Sequence, residues 1–264
     1  MVPSDRQQAI LDLARADGRV TVDGLARRFD VSPQTIRKDL NELCESKVMA
    51  RVHGGAVLAF GLQNVGYDAR REIAREEKDA IGRAAASLIP ENCSLFINIG
   101  TTTEAVAQHL RQHRDLLVIT NNINVASVLR PYGQIEVIIA GGVVRRSDGG
   151  IVGETAVDFI RQFKVDYAII GASAIEEDGA LLDYDLREVR VSQAIMANAR
   201  DVILVADSTK FSRSAPARIA HISEIGTFVT NRLASETFRE VCRAGQTEVV
   251  ETDLLATPPF IASV

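Results

Sequence analysis

Apolar positions recur at helical spacing three times in the first fifty residues. Ile10, Leu11, Leu13 and Ala14 make a stripe on a helix predicted from Asp5 to Ala16, with Gly18 ending it. Leu25, Ala26 and Phe29 mark a second helix, which Thr21 can cap. Asp30-Val31-Ser32-Pro33 then reads as a tight turn. Ser32 is an N-cap, and Pro33 takes the first helical position, where its missing N–H costs nothing. The third helix is predicted from Pro33 to Glu45, with Ile36, Leu40 and Leu43 facing inward. Val48 to Val57 reads as two short strands around a turn at Gly54-Gly55.

After a stretch without clear periodicity at 57–70, a charged, alanine-rich helix is predicted from Glu72 to Leu88. Aliphatic runs then alternate with amphipathic segments. Strands are predicted at Leu95 to Ile99, Leu116 to Thr120, Ile135 to Ala140, Tyr167 to Ile170, Val202 to Ala206, Gly226 to Val229 and Glu248 to Val250. Helices are predicted at Thr103 to Leu110, Ile123 to Leu129, Thr155 to Phe163, within Asp183 to Ala199, and at Ala234 to Ala244. Continuous apolar strands alternating with helices imply a mostly parallel sheet covered on both faces. The fold class expected is α/β, a winged helix-turn-helix followed by a mostly parallel α/β domain. The divisions are 1–57 for the winged helix-turn-helix, 58–71 for a linker and 72–264 for the α/β domain.

Composition narrows this reading. Hydrophobic residues make up 46% and charged residues 25%, which excludes wholesale disorder; aromatics are 5% with no Trp, so an aliphatic core is expected. Cys44, Cys93 and Cys242 are odd in number and far apart, against a disulfide scaffold or a zinc site, and read as small buried hydrophobes. No apolar run suits a signal peptide or a membrane span, so a cytoplasmic protein without membrane contact is expected. The net charge of −5 argues against nucleic acid, yet residues 1–56 carry nine basic against eight acidic side chains. DNA binding therefore requires positive charge gathered on one face.

The third helix supplies such a face. With Ile36, Leu40 and Leu43 inward, Gln34, Thr35, Arg37 and Lys38 point outward near its amino end, the end that meets base edges. Gln pairs with adenine and Arg with guanine, while Ser32 and Thr35 suit phosphates or bases. Arg51 and His53 lie on the predicted wing and suit phosphate or minor-groove contacts. Binding double-stranded operator DNA is preferred over a plain three-helix bundle.

In open parallel sheets ligands bind outside the carboxyl ends of the strands. Gly100, Thr101, Thr102 and Thr103 follow the first strand and open a helix, a phosphate-binding pattern. Asn121 and Asn122 follow the second strand, Gly141 and Gly142 the third, and Asp207 to Phe211 the fifth. Lys210 offers positive charge, whereas Asp148, Glu154 and Asp207 can accept from polyol hydroxyls. Together they suggest a pocket for a small phosphorylated metabolite. Arg145-Arg146 serves that anion or coats a turn, the surface reading being preferred. The mixed face of the helix carrying Leu186, Arg187, Glu188 and Arg190 reads as solvated, or as a subunit contact.

Put together, these stretches resemble the DeoR family of bacterial repressors of sugar metabolism. The carriers are S-P-Q-T-I-R-K-D-L-N-E-L at 32–43, R-V-H-G-G-A at 51–56, I-G-T-T-T-E-A-V-A at 99–107 and T-N-N-I-N-V-A at 120–126. A-G-G at 140–142, L-R-E-V-R at 186–190 and V-A-D-S-T-K-F at 205–211 add to them, and D-G-G-I-V-G-E-T-A-V-D-F-I-R-Q-F at 148–163 narrows the likeness toward the glycerol branch. The resemblance implies a sensor domain related to ribose-5-phosphate isomerase-like folds, a homo-oligomer (dimer or tetramer) and no cofactor. It implies release from DNA by glycerol 3-phosphate or another sugar or polyol phosphate. Gly100 to Thr103 match the family's phosphate loop, and Asp207 and Lys210 its late Asp/Lys pair. Asn98 stands where many members have Asp, which leaves a carboxylate role there unsupported. The alternatives are a regulator sensing a different sugar phosphate, an activator using the same DNA contacts, and a phosphosugar isomerase-like enzyme.

Overall fold

A computed structural model describes residues 4–17, 19–46, 48–52, 54–58 and 67–252. The chain divides into two compact units, Met1–Val65 and Gly66–Val264.

The first unit runs α1 (Asp5–Asp17), β1 (Arg19–Thr21), α2 (Val22–Phe29), α3 (Pro33–Glu45), β2 (Met49–Val52) and β3 (Gly55–Leu58). The caps form as the sequence dictates: Thr21 Oγ1 accepts from the Gly24 amide at 3.1 Å, and Ser32 Oγ from the Thr35 amide at 3.1 Å. Ile10, Leu11 and Ala14 pack with Leu25, Ala26, Ile36, Leu40 and Leu43 in one buried cluster. The three strands form an antiparallel sheet in the order β1-β3-β2. β1 was not expected, because three residues show no period. Gly18, expected to end α1, lies outside the described residues.

The second unit continues with α4 (Tyr67–Glu72), α5 (Arg75–Ser87), β4 (Ser94–Ile97), α6 (Thr101–Leu110), β5 (Leu116–Thr120), α7 (Ile123–Leu129) and β6 (Ile135–Ile139). Then come β7 (Val143–Val144), β8 (Ile151–Val152), α8 (Glu154–Ile160), β9 (Val165–Ile170), β10 (Ala174–Ile175), β11 (Ala180–Asp183), α9 (Leu186–Ala197) and β12 (Ala199–Val205). A 3₁₀ turn over Ser208–Ser212, β13 (Ala217–His221), a 3₁₀ turn over Ile222–Glu224, β14 (Thr227–Thr230), α10 (Glu236–Ala244) and β15 (Glu248–Glu251) complete it. α4 occupies part of the expected linker, since six helical residues are too few to reveal a period. The short antiparallel pieces β7-β8 and β10-β11-β13 were also missed.

Seven strands make one parallel sheet in the order β15-β14-β12-β9-β4-β5-β6. Alternate residues face opposite layers. Leu95, Ile97, Val118 and Ile169 pack with Ile81, Val106, Leu110, Val125 and Leu129 from α5, α6 and α7. Phe96, Ala168, Ile170 and Leu204 pack with Ala156, Ile160, Val189, Ile195 and Phe238 from α8, α9 and α10. The core is largely aliphatic; Phe211, Phe228 and Phe238 meet edge to face with centroids 4.9–6.3 Å apart, and Phe159 and Phe163 pack against it as a tilted pair. Of the cysteines, Cys242 is buried, while Cys44 and Cys93 are half-exposed. α5 and α6 approach so closely at Gly82 that an added Cβ would lie 2.7 Å from the Ala105 backbone.

Strand order decides where a ligand can enter. From β4 the chain proceeds outward through β5 and β6, then returns to β9 on the other side and proceeds through β12, β14 and β15. The reversal falls between β4 and β9. Their carboxyl ends part there and leave the crevice that open α/β sheets use for ligands.

Candidate functional site

In the first unit, Gln34, Arg37 and Lys38 are exposed on the first turns of α3, and Thr35 is half-buried beside them. They share one open concave surface with Arg6 and Asn41. The acidic residues on that surface are both paired: Asp39 is buried and accepts from Arg6 Nε at 2.6 Å and Nη2 at 3.2 Å, and Glu42 accepts from Gln7 Nε2 at 2.7 Å. The exposed turn is therefore cationic although the unit as a whole is nearly neutral. Ser32 is spent as the helix cap. Arg51 lies on β2 opposite Ala56. His53 lies outside the described residues.

In the second unit, the crevice between β4 and β9 is a cavity of about 30 Å³. Gly100 to Thr103 form its β4 wall, Gly171 to Ser173 its β9 wall, and Val205 with Lys210 close it after β12. Arg70, Asp183 and Glu188 complete the lining. Gly100 sits at φ +152°, a backbone state that favours glycine, and the first backbone bond of α6 runs from the Glu104 amide to Gly100 O. The amides of Thr101, Thr102 and Thr103 thus have no partner within the helix, and the helix dipole favours an anion before them. Thr103 Oγ1 lies 2.7 Å from Asn98 O and from Gly100 O, so this hydroxyl shapes the loop.

Lys210 is nine-tenths buried and lines the cavity, and its side-chain Nζ makes no hydrogen bond with any described residue. Burial pushes its ammonium down to about 7, with Asp207 opposing the shift. Burial likewise lowers Lys78 to about 8. Asp207 is held below the usual carboxylate range, because Lys210, Thr209, Lys78 and Arg213 outweigh its own burial. Asp207 Oδ1 accepts from the Thr209 amide at 3.1 Å and so caps the 3₁₀ turn that presents Lys210, whereas Oδ2 is buried without a partner. A lysine Nζ without an acceptor among the described residues, beside amides unpaired within the helix, makes a setting suited to an anion.

Next to the cavity lies a charge cluster. Asp148 accepts from Arg145 Nε at 2.8 Å and Nη2 at 2.6 Å, and from Arg70 Nη2 at 3.2 Å. Arg145 also reaches Glu188 at 2.6 Å and Asp185 at 3.1 Å. Burial, aided by Asp183, raises Glu188 to about 7 against the pull of Arg145. Asp183 accepts from Ser173 Oγ at 3.0 Å and from the Tyr184 amide at 2.6 Å.

This geometry corrects several expectations. Arg145, expected on the surface, is three-carboxylate deep in the cluster; Arg146 is exposed as expected. α9 is not simply solvated: Glu188 is buried, while Arg187 and Arg190 face outward. Asp148 is bound by two arginines and does not line the cavity. Glu154 is exposed and paired with Arg190, away from the cavity. Gly141 and Gly142 are exposed after the edge strand β6. Asn121 and Asn122 are buried scaffold: Asn121 Nδ2 donates to Ile151 O at 3.1 Å, and Asn122 caps α7. Asn98 is also structural, donating to Ser192 Oγ at 2.7 Å and accepting from the Ile99 amide at 2.7 Å. The structure thus brings together Gly100, Thr101, Thr102, Thr103 and Lys210, with Asp207 behind them. Sequence reasoning missed Arg70, Lys78, Asp183 and Glu188. The one available signal was charge inside otherwise helical or aliphatic segments.

The same two units are found in known proteins. Residues 6–59 match the DeoR-like helix-turn-helix domain, and residues 73–232 match the DeoR C terminal sensor domain. The chain is 44% identical over 231 residues to the glycerol-3-phosphate regulon repressor of Escherichia coli (strain K12), covering 88% of this chain and 92% of that one. It is 45% identical over 225 residues to the protein of that name in Haemophilus influenzae, covering 85% and 88%. The HTH-type transcriptional repressor GlcR of Bacillus subtilis is 32% identical over 254 residues, covering 96% and 98%. Among solved structures, ribose 5-phosphate isomerase A from Methanocaldococcus jannaschii aligns at a TM-score of 0.39 and 14% identity, covering 52% of this chain and 55% of that one. That likeness is too distant to bear on activity. Helix-turn-helix unit, sensor unit and full-length relatives agree, and the chain belongs to the DeoR family.

Proposed function

We propose that the chain is a transcriptional repressor of glycerol or sugar-phosphate metabolism genes, released from its operator by a phosphorylated metabolite, glycerol 3-phosphate foremost. The observation that carries the effector half is Lys210, whose Nζ has no hydrogen-bond acceptor among the described residues and which lines one cavity with Thr101 to Thr103 at the reversal point of the sheet. In this reading the phosphate rests on those amides and on Lys210. Ser173, Asp183 and Glu188 line the same cavity and face the hydroxyl-bearing end.

For the DNA half, the exposed amino end of α3 enters the major groove. Gln34, Thr35, Arg37 and Lys38 meet bases and phosphates, Ser32 holds the helix start, and Arg51 and His53 supply the wing. A homo-oligomer presents two such helices to paired half-sites. Release requires that the metabolite bind the DNA-free form more tightly, since only differential affinity moves the equilibrium.

The test is calorimetric titration of the full chain with glycerol 3-phosphate, glycerol and ribose 5-phosphate. Glycerol 3-phosphate is expected to bind, glycerol to fail for want of a phosphate, and Lys210→Met to lose at least tenfold in affinity. Equal binding of glycerol would remove the phosphate cradle from the account. Turnover of ribose 5-phosphate would favour an enzyme instead.

A further inference from the structure

α4 is held to the sensor unit by hydrogen bonds from Tyr67 to Glu104 and from Asn124 to Tyr67, by Lys78 on the carbonyl of Arg70, and by Arg70 on Asp148. Tyr67 Oη donates to Glu104 Oε2 at 2.7 Å, and Glu104 sits on the first turn of α6, next to the phosphate-cradle residues. Lys78 Nζ, on α5, donates to the carbonyls of Arg70 and of Ile73, the latter at 2.6 Å. Arg70 itself lines the cavity and reaches Asp148 through one 3.2 Å bond.

That bond is poorly matched to a buried guanidinium. Arginine offers five N–H groups in a planar fork, and a carboxylate or phosphate can take two at once. Arg70 Nε is buried with no partner. Asp148, in contrast, does not depend on Arg70, because Arg145 already holds both of its oxygens at 2.6 and 2.8 Å. Of the two arginines on Asp148, Arg70 is the one that can leave without stranding a buried carboxylate. A phosphate on the neighbouring amides offers it a doubly charged, fork-matching acceptor.

We infer that Arg70 is the arm by which the cavity reports its occupancy: an effector phosphate on the Gly100–Thr103 amides takes its guanidinium from Asp148 and shifts α4. In sequence, α4 is the first described element after the helix-turn-helix unit, beyond the boundary between Val65 and Gly66, which is why a shift of α4 is the change proposed to reach that unit. This rests on the effector reading above and adds to it the transmitting residue. Arg70 is then distinct in role from Lys210, which binds without transmitting.

The experiment compares the wild type, Arg70→Gln, Arg70→Lys and Lys210→Met, each as the full chain. Affinity for glycerol 3-phosphate is measured by calorimetry. The ratio of operator affinities without and with saturating metabolite is measured by fluorescence anisotropy. Both Arg70→Gln and Lys210→Met are expected to bind the metabolite about tenfold or more weakly, the loss of one charge-assisted contact of about 1.4 kcal/mol. Once saturated, Lys210→Met is expected to show the wild-type ratio, whereas Arg70→Gln shows a ratio near one. Arg70→Lys, which keeps the charge and loses the fork, is expected to fall between. Metabolite is expected to change amide exchange across Tyr67–Glu72 in the wild type and not in Arg70→Gln. A saturated Arg70→Gln protein that releases DNA like the wild type would overturn the transmitting role. Unchanged metabolite affinity in Arg70→Gln would overturn the contact itself. Failure of the wild type to bind any phosphorylated metabolite would overturn the effector reading underneath, and is seen before any variant is made.

Discussion

Lys210 concentrates the chemistry of the sensor unit, and its charge state carries a pH prediction. Burial lowers its folded value to about 7, and that of Lys78 to about 8, from an ordinary lysine value near 10.5. The unfolded chain therefore binds more protons between about 7 and 10.5, and these two residues make stability rise with pH across that window. A bound phosphate favours the charged ammonium, so binding at pH 8 is expected to take up protons. Calorimetry at pH 8 in two buffers of different ionisation enthalpy checks this; proton release on binding would contradict it. Gly100→Ala tests the loop independently. The substitution places a Cβ on a φ of +152° and 3.3 Å from Thr103 Oγ1, at a cost of about 1–3 kcal/mol, read as a lower melting temperature and weaker metabolite binding. Gly100, Thr101 to Thr103 and Lys210 were legible because small residues, hydroxyls and a lysine after apolar strands form a local pattern. Glu154 and Asp148 were misplaced for the opposite reason. A carboxylate's sequence neighbours do not say which arginine will pair with it: Glu154 meets Arg190 from 36 residues away, and Asp148 is held by Arg145, the arginine expected on the surface.

At the level of elements, caps and apolar stripes were read correctly because both are local. α3 begins and ends where Pro33 and Glu45 predict, and α2 begins after Thr21. Replacing Ser32 by Ala is expected to cost the first unit about 1 kcal/mol, seen as faster amide exchange along α3; unchanged exchange would mean that the cap contributes nothing. The misread elements are the ones whose order depends on distant partners. β1 exists because Val20 pairs with Ala56, and α4 because Tyr67, Arg70 and the α5 lysine fasten it to the sensor. On α9 the helical period was right, and the fault was in assigning its polar residues to water. Glu188 lies on the inward side with Ser192, one turn on, where Arg145 and Asn98 meet them.

For the whole molecule, the alternation of strands and helices made the parallel sheet legible, whereas the strand order did not follow from it. Any order with covered faces satisfies the same pattern. Only the observed reversal between β4 and β9 explains why the polar ends of β4, β9 and β12 meet at the cavity while those of β5 and β6 serve as scaffold or turns. Two units with separate cores also predict separable defects. Arg37→Ala is expected to weaken operator binding by tenfold or more and to leave metabolite affinity within twofold, measured by anisotropy and calorimetry; equal loss of both would break the division of labour. Operator affinity is expected to fall steeply between 50 and 200 mM salt, as phosphate contacts release counterions. Binding of the full chain to a labelled fragment of its neighbouring promoter is to be measured with and without millimolar glycerol 3-phosphate. Tight binding is expected, weakened at least tenfold by the metabolite and left unchanged by glycerol. Tight binding indifferent to every phosphorylated metabolite tried would contradict the sensor half, and no specific binding at low salt would contradict the repressor itself.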